Sequence, residues 1–111
     1  MIERLPVEFN GRGEEKNYLY TQMCKKKLDN GNYAYVYVQR DISVDDSYVA
    51  GYEVVKPKVS NAIKVEIVDG KKTITKLDEL KEYYPTTEEW GTNGFSYKTL
   101  EAAIKKFQSF F

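Results

Sequence analysis

The alternation of hydrophobic and polar positions predicts a β-hairpin in the first half of the chain. Residues 17–27 and 33–40 alternate and are rich in aromatic and β-branched side chains, which is typical of strands. Asn30-Gly31 between them is a strong signal for a tight turn. Two antiparallel strands are therefore expected here.

The second of these strands has two chemically different faces, because successive side chains of a strand point to opposite sides. One face carries small aliphatic residues: Ala34, Val36 and Val38. The other carries tyrosines: Tyr33, Tyr35 and Tyr37. We expect the aliphatic face to be core and the other to be a half-buried or exposed tyrosine ladder.

A polar loop over residues 41–47 precedes a third predicted strand over residues 48–59. Gly51 within it predicts a bulge or a close backbone approach. Pro57 cannot donate a ladder hydrogen bond, so the end of this strand is expected at a sheet edge.

A second hairpin is predicted from residues 62–68 and 71–75, joined by Asp69-Gly70. We expect Ile63, Val65 and Ile67 to point inward and Lys64, Glu66 and Val68 outward. Residues 76–84 have helical spacing of apolar side chains before Pro85, so a single helical turn or a loop is predicted there.

The C-terminus has the strongest helical pattern. Thr99 suits an N-cap, and Glu101 in the first turn opposes the helix dipole. One apolar stripe is formed by Leu100, Ala103, Ile104, Phe107 and Phe111. Lys105, Lys106 and Gln108 are expected to face away from it. A helix this short needs the sheet for stability.

Together these elements predict a single α+β domain over residues 1–111, with residues 1–16 as an irregular N-terminal segment. The architecture is an antiparallel meander of about five strands with one C-terminal amphipathic helix packed on one face.

The amino-acid composition narrows the range of functions that the chain could have. The chain has 111 residues, 17 basic and 17 acidic side chains, one cysteine and no histidine. Without histidine, the usual general base and commonest transition-metal ligand are missing, so we expect no catalytic residues, no cofactor and no metal. The lone cysteine and the absence of a signal-like or long apolar segment indicate a cytoplasmic protein that does not enter a membrane.

The C-terminal half resembles a group of small uncharacterised proteins encoded by bacteriophages of gut bacteria. The resemblance covers roughly residues 48–110. It is carried by Pro85, Trp90, Gly91, Phe95, Tyr97, Leu100, Glu101, Ala103 and Phe107. It implies a phage origin and a host-cytoplasm setting, and it brings no activity or functional residues with it.

The tyrosine ladder and the neighbouring Lys25, Lys26 and Lys27 form one candidate site. Stacked bases on the tyrosines, with lysines on phosphates, would make a single-stranded nucleic-acid binder. The alternative, which we favour, is a network of cross-strand pairs that stiffens the sheet or is covered in a homodimer.

Two other groups of residues are candidate sites. The acids Asp78, Glu79, Glu82, Glu88 and Glu89 could hold a cation or dock a basic partner, but a solvated acidic face fits them better. Cys24 has no histidine to activate it and is expected to be a semi-buried structural residue.

Trp90 lies in a glycine-punctuated corner, and we expect its ring to pack over the edge of the core near the helix start. With the tyrosine face it completes the candidate interaction surface. The sequence thus predicts a non-enzymatic accessory protein of phage type that binds a host or phage protein, with nucleic-acid binding as the alternative.

Overall fold

The computed structural model describes residues 2–11 and 13–111, which are mainly antiparallel β-sheet with one C-terminal helix. This confirms the predicted α+β class. In chain order the elements are β1 (Ile2–Glu3), β2 (Glu8–Asn10), a 3-10 turn (Gly13–Glu15), β3 (Tyr18–Lys27), β4 (Tyr33–Asp41), β5 (Val49–Val55), β6 (Lys58–Val68), β7 (Lys71–Tyr83), a second 3-10 turn (Thr87–Glu89), β8 (Gly94–Tyr97) and α1 (Leu100–Gln108).

The larger sheet has five antiparallel strands in the order β2-β3-β4-β5-β8. The first predicted hairpin forms β3 and β4. The register of β4 and β5 shifts beside Gly51, which confirms the predicted irregularity. A Cβ on Gly51 would lie 3.0 Å from the Tyr97 carbonyl oxygen, so a neighbouring backbone also approaches closely there.

Helix α1 covers the aliphatic face of this sheet, as predicted. Ala103 and Phe107 are buried against Ala34, Val36 and Val54. The Thr99 hydroxyl accepts a hydrogen bond from the Ala102 amide at 3.2 Å and caps the helix. These contacts give the short helix the tertiary support that it needs.

Lys106 does not face away from the core as expected. Its ammonium lies 4.3 Å from the centre of the Phe95 ring, because the long aliphatic stem can run along an apolar surface while the charge stays near water.

A second, three-stranded sheet has the order β1-β7-β6, with β1 parallel to β7. The predicted Asp69-Gly70 turn is present, with φ values of 51° and 75° that suit a type I′ hairpin. The helical turn or loop predicted for residues 76–84 is wrong, because nearly all of that segment belongs to β7. Pairing with β6 on one side and β1 on the other outweighs the weak local helical pattern.

Two further expectations need correction. The predicted strand over residues 48–59 is divided: β5 ends at Val55, Pro57 is buried in the connection, and β6 begins at Lys58 in the other sheet. The segment predicted as irregular, residues 1–16, contains β1 and β2, which pair with strands from later in the chain.

The molecule is elongated. Its radius of gyration is 15.7 Å and its extents are 49 × 38 × 23 Å, whereas a compact chain of this length would have a radius of about 13 Å. The outer part of the β6–β7 hairpin, residues 62–76, is exposed or half-exposed throughout. We call this segment the arm.

Candidate protein-interaction surfaces

The tyrosine ladder lies in a second hydrophobic core. Tyr35 and Tyr37 have no exposed surface, and Tyr20 is 3% exposed. Phe9 of β2 stacks on Tyr20 with ring centroids 4.9 Å apart. The expectation of a half-buried or exposed ladder is therefore wrong for Tyr35 and Tyr37, while Tyr33 is half-buried. Strand β2 extends this face at the edge of the sheet, and Leu5, which precedes β2, and Tyr84, which follows β7, cover it from distant parts of the sequence.

A buried carboxylate organises one end of this core. Glu82 is 1% exposed and accepts hydrogen bonds from the Tyr35 hydroxyl at 2.5 Å, the Leu5 amide at 2.9 Å and an Arg4 guanidinium nitrogen at 3.2 Å. The expected solvated acidic face thus does not include Glu82. Asp78, Glu79 and Glu88 are exposed. Burial of a carboxylate is tolerated here because its charge and its acceptor sites are satisfied.

A second carboxylate joins the same tyrosine core. The Tyr84 hydroxyl donates to a Glu53 carboxylate oxygen at 2.5 Å. Burial raises the pKa of the Glu53 carboxyl, although the hydrogen bond from Tyr84 opposes this. Burial and the nearby Glu53 charge raise the pKa of Tyr84 well above its ordinary value. Both tyrosine–carboxylate pairs are contacts within the tyrosine core.

The three lysines of β3 do not line a shared groove with the tyrosines. The Lys25 ammonium lies 4.7 Å from the centre of the Tyr33 ring, on the tyrosine side of the sheet. The Lys26 ammonium lies 4.4 Å from the centre of the Phe111 ring, on the helix side. Lys27 is exposed at the end of the strand. Alternation along β3 therefore divides these charges between two faces.

Trp90 packs at the edge of a core, as expected, and that core is the tyrosine cluster. Its ring packs against the cluster that contains Tyr20, Tyr35 and Val55. The indole N–H donates to the Ser96 hydroxyl at 3.1 Å. The ring lies over Gly94, where an added Cβ would be 2.4 Å from an indole carbon. The Trp90 corner thus closes one core while β8 leads onward to the helix on the other side.

Cys24 is partly buried and packs against the helix-side core. This agrees with the structural role expected for it.

The arm presents the most prominent exposed apolar face. The prediction that Ile63, Val65 and Ile67 point inward is wrong: their exposed fractions are 49%, 48% and 75%. Ile74 lies opposite Val65 on the same face and is 57% exposed. The predicted alternation itself is present in β6. It could not show whether another part of the chain covers that face, and none of the described residues does so.

Comparisons with known proteins find no relative: no protein-family model matches the chain, and neither the curated proteins nor the solved structures yield a match. Within residues 2–11 and 13–111, no helix is both long and apolar enough to span a membrane. The same residues contain no cluster of histidine, cysteine and acidic side chains that could hold a metal ion.

Proposed function

We propose that this chain is a non-enzymatic protein-binding module that works through the apolar face of the arm. In this proposal it is an accessory protein of the phage type that its C-terminal half resembles, and it acts in the host cytoplasm. The observation that carries the proposal is the row of exposed aliphatic side chains on one face of a projecting hairpin: Ile63, Val65, Ile67 and Ile74.

Two physical arguments support a protein as the ligand of this face. Contiguous exposed apolar surface on a folded protein marks an interaction site more often than it serves stability. A two-stranded hairpin without a covering layer is also only marginally stable in water. A protein that covers the arm would remove both costs.

The alternative function, binding of single-stranded nucleic acid through the tyrosine face, has less support than protein binding. A base needs an open aromatic ring to stack on, and Tyr35 and Tyr37 are completely buried. The alternative stays a prediction from the sequence, and no contact in the structure favours it. Tyr33, Trp90 and the β3 lysines are not part of the proposed surface.

Site-specific photocrosslinking tests the proposal. A photoreactive amino acid replaces Val65 on the apolar face, and in a matched control it replaces Thr75, which is exposed on the opposite face of the arm because it pairs with Lys64. In bacterial cells that express the chain, we expect discrete protein adducts from position 65 and few from position 75. Equal yields from the two positions, or none from position 65, would refute the proposal.

A further inference from the structure

We propose that the partner of the arm is a second copy of this chain, joined through the outer edge of β6. Two β6 strands would pair antiparallel about a two-fold axis and form one four-stranded sheet in the order β7-β6-β6-β7. This inference rests on the proposed function, in that it names a partner for the arm, and it places the contact at the strand edge that borders the apolar face.

The outer edge of β6 is available for pairing. Among the described residues, β6 pairs only with β7. A two-residue type I′ turn places Val68 and Lys71 as a pair that exchanges both backbone hydrogen bonds. Because bonding alternates along an antiparallel pair, the backbone groups of Ile63, Val65 and Ile67 then point away from β7. They form a row of donors and acceptors that another strand can satisfy.

One register makes this edge complementary to itself. With Val65 opposite the partner's Val65, Ile63 lies opposite the partner's Ile67, and the outward backbone groups of these residues meet each other. Lys64 then lies opposite the partner's Glu66, and Glu66 opposite the partner's Lys64. These charged pairs fall at positions without backbone bonds, where facing side chains come closest.

The charges also select this register against its neighbours. Sliding the partner strand by two residues keeps the backbone bonding pattern but places Lys64 against the partner's Lys64, or Glu66 against the partner's Glu66. Like charges directly opposite each other are unfavourable. Within one chain the Lys64 ammonium already lies 2.8 Å from a Glu66 carboxylate oxygen, so both groups lie on the same face and can exchange partners across the edge.

The edge of β6 is better suited to this than the edge of β7. Strand β7 is irregular between Lys76 and Leu80, where the register with β6 shifts, and its inner end is covered by β1. Bulges and short covering strands are common means of protecting a sheet edge. Strand β6 has a continuous register from Ile63 to Val68 and no proline. It therefore keeps a straight edge with alternating aliphatic and complementary charged positions.

A charge-exchange experiment tests the pairing by sedimentation velocity over a concentration series. We expect the wild-type chain to form dimers. K64E and E66K should each weaken dimerisation by roughly tenfold or more, because each places like charges at both symmetric positions. An equimolar mixture of K64E and E66K should form a heterodimer, since every pair in it is again opposite in charge. The double variant K64E/E66K should recover the homodimer.

The control is K71E, which makes the same change of charge on the face of the arm that carries Lys64, but on β7, away from the proposed edge. It should leave the dimer constant within about twofold. Circular dichroism of each variant verifies that it is folded. A monomeric wild-type chain at its highest soluble concentration would overturn the inference, and so would a dimer that K64E and E66K do not weaken more than K71E does. If the chain is monomeric but position 65 still forms adducts with another protein, only the second-copy inference fails.

Discussion

At the scale of single residues, the Trp90 ring lies directly against Gly94. A methyl group on residue 94 would be 2.4 Å from the indole ring, so Gly94→Ala must displace the ring or the strand. We expect a loss of about 1–3 kcal/mol in the free energy of unfolding, the usual cost of overpacking. Urea unfolding of the variant measures this.

A double-mutant cycle separates the steric clash from the general effect of replacing glycine. In the background of Trp90→Ala, the Gly94→Ala change should cost about 0.5 kcal/mol or less, because the colliding ring is absent. Equal costs in both backgrounds would show that the indole is not what requires glycine at this position.

Tyr35 provides a second prediction at this scale, since its hydroxyl donates to the buried Glu82 carboxylate at 2.5 Å. Tyr35→Phe removes that donor and keeps the ring. We expect the free energy of unfolding to fall by about 1–3 kcal/mol, because a buried acceptor loses a partner. Tyr97→Phe is the control, as its hydroxyl makes no hydrogen bond to the described residues. Chemical denaturation that finds the two variants equally stable would contradict the prediction.

At the scale of elements, the C-terminal helix depends on its cap as well as on its apolar stripe. Thr99→Ala removes the hydrogen bond from the Ala102 amide at 3.2 Å and should destabilise the protein by about 1 kcal/mol. Thermal unfolding followed by circular dichroism measures the change. The control is Thr92→Ala at an exposed position outside the helix, and a similar loss there would mean that the cap has no special role.

Strand β7 shows how tertiary contacts can outweigh a local helical pattern in the sequence. Residues 76–84 place apolar side chains at helical spacing, yet the strand runs as far as Tyr83. As an extended strand it carries Glu82 to the buried end of Tyr35. If this segment were a helical turn, the backbone N–H and C=O groups of β6 and β1 that pair with it would lose their hydrogen-bond partners. The hydrogen bonds of two neighbouring strands therefore outweigh a propensity worth a few tenths of a kcal/mol per residue.

At the scale of the whole molecule, the tyrosine core predicts sensitivity to alkali. Burial raises the pKa of Tyr20 and Tyr35 above their ordinary value of 10.0. As the pH rises above 10, the unfolded chain releases these protons while the folded chain keeps them, so stability falls. The loss is at most about 1.4 kcal/mol per pH unit for each tyrosine.

A titration of tyrosinate absorbance, read together with circular dichroism, checks this prediction. Tyr20 and Tyr35 should release their protons only as the protein unfolds. Tyr48→Phe alters a residue that is 50% exposed and should leave the unfolding pH unchanged. Titration of all ten tyrosines near their ordinary pKa with the fold intact would contradict the burial of this core.

The body of the protein and the arm differ in whether the faces of their sheets are covered. The five-stranded sheet is covered on both faces, by α1 on one side and by the segment before β2, the end of β7 and the Trp90 corner on the other. The arm has no such layer among the described residues. Its stability and its proposed role are therefore linked, because a bound partner would supply the missing strand or cover.

The sequence by itself determined the elements whose signals are local. The Asn30-Gly31 and Asp69-Gly70 turns, the two-faced pattern of β4 and the capped amphipathic helix were all correctly predicted. Each depends on residues that are close in sequence, where turn geometry and side-chain periodicity act directly.

Only the tertiary structure decided which faces are covered. Alternation distinguishes the two sides of a strand but does not reveal what lies against each side. The tyrosine face became core because Leu5, Tyr84 and Trp90 pack over it, and the aliphatic face of the arm stayed exposed because no described segment reaches it. Burial depends on contacts between residues far apart in sequence, and the pattern along a single strand carries no information about them.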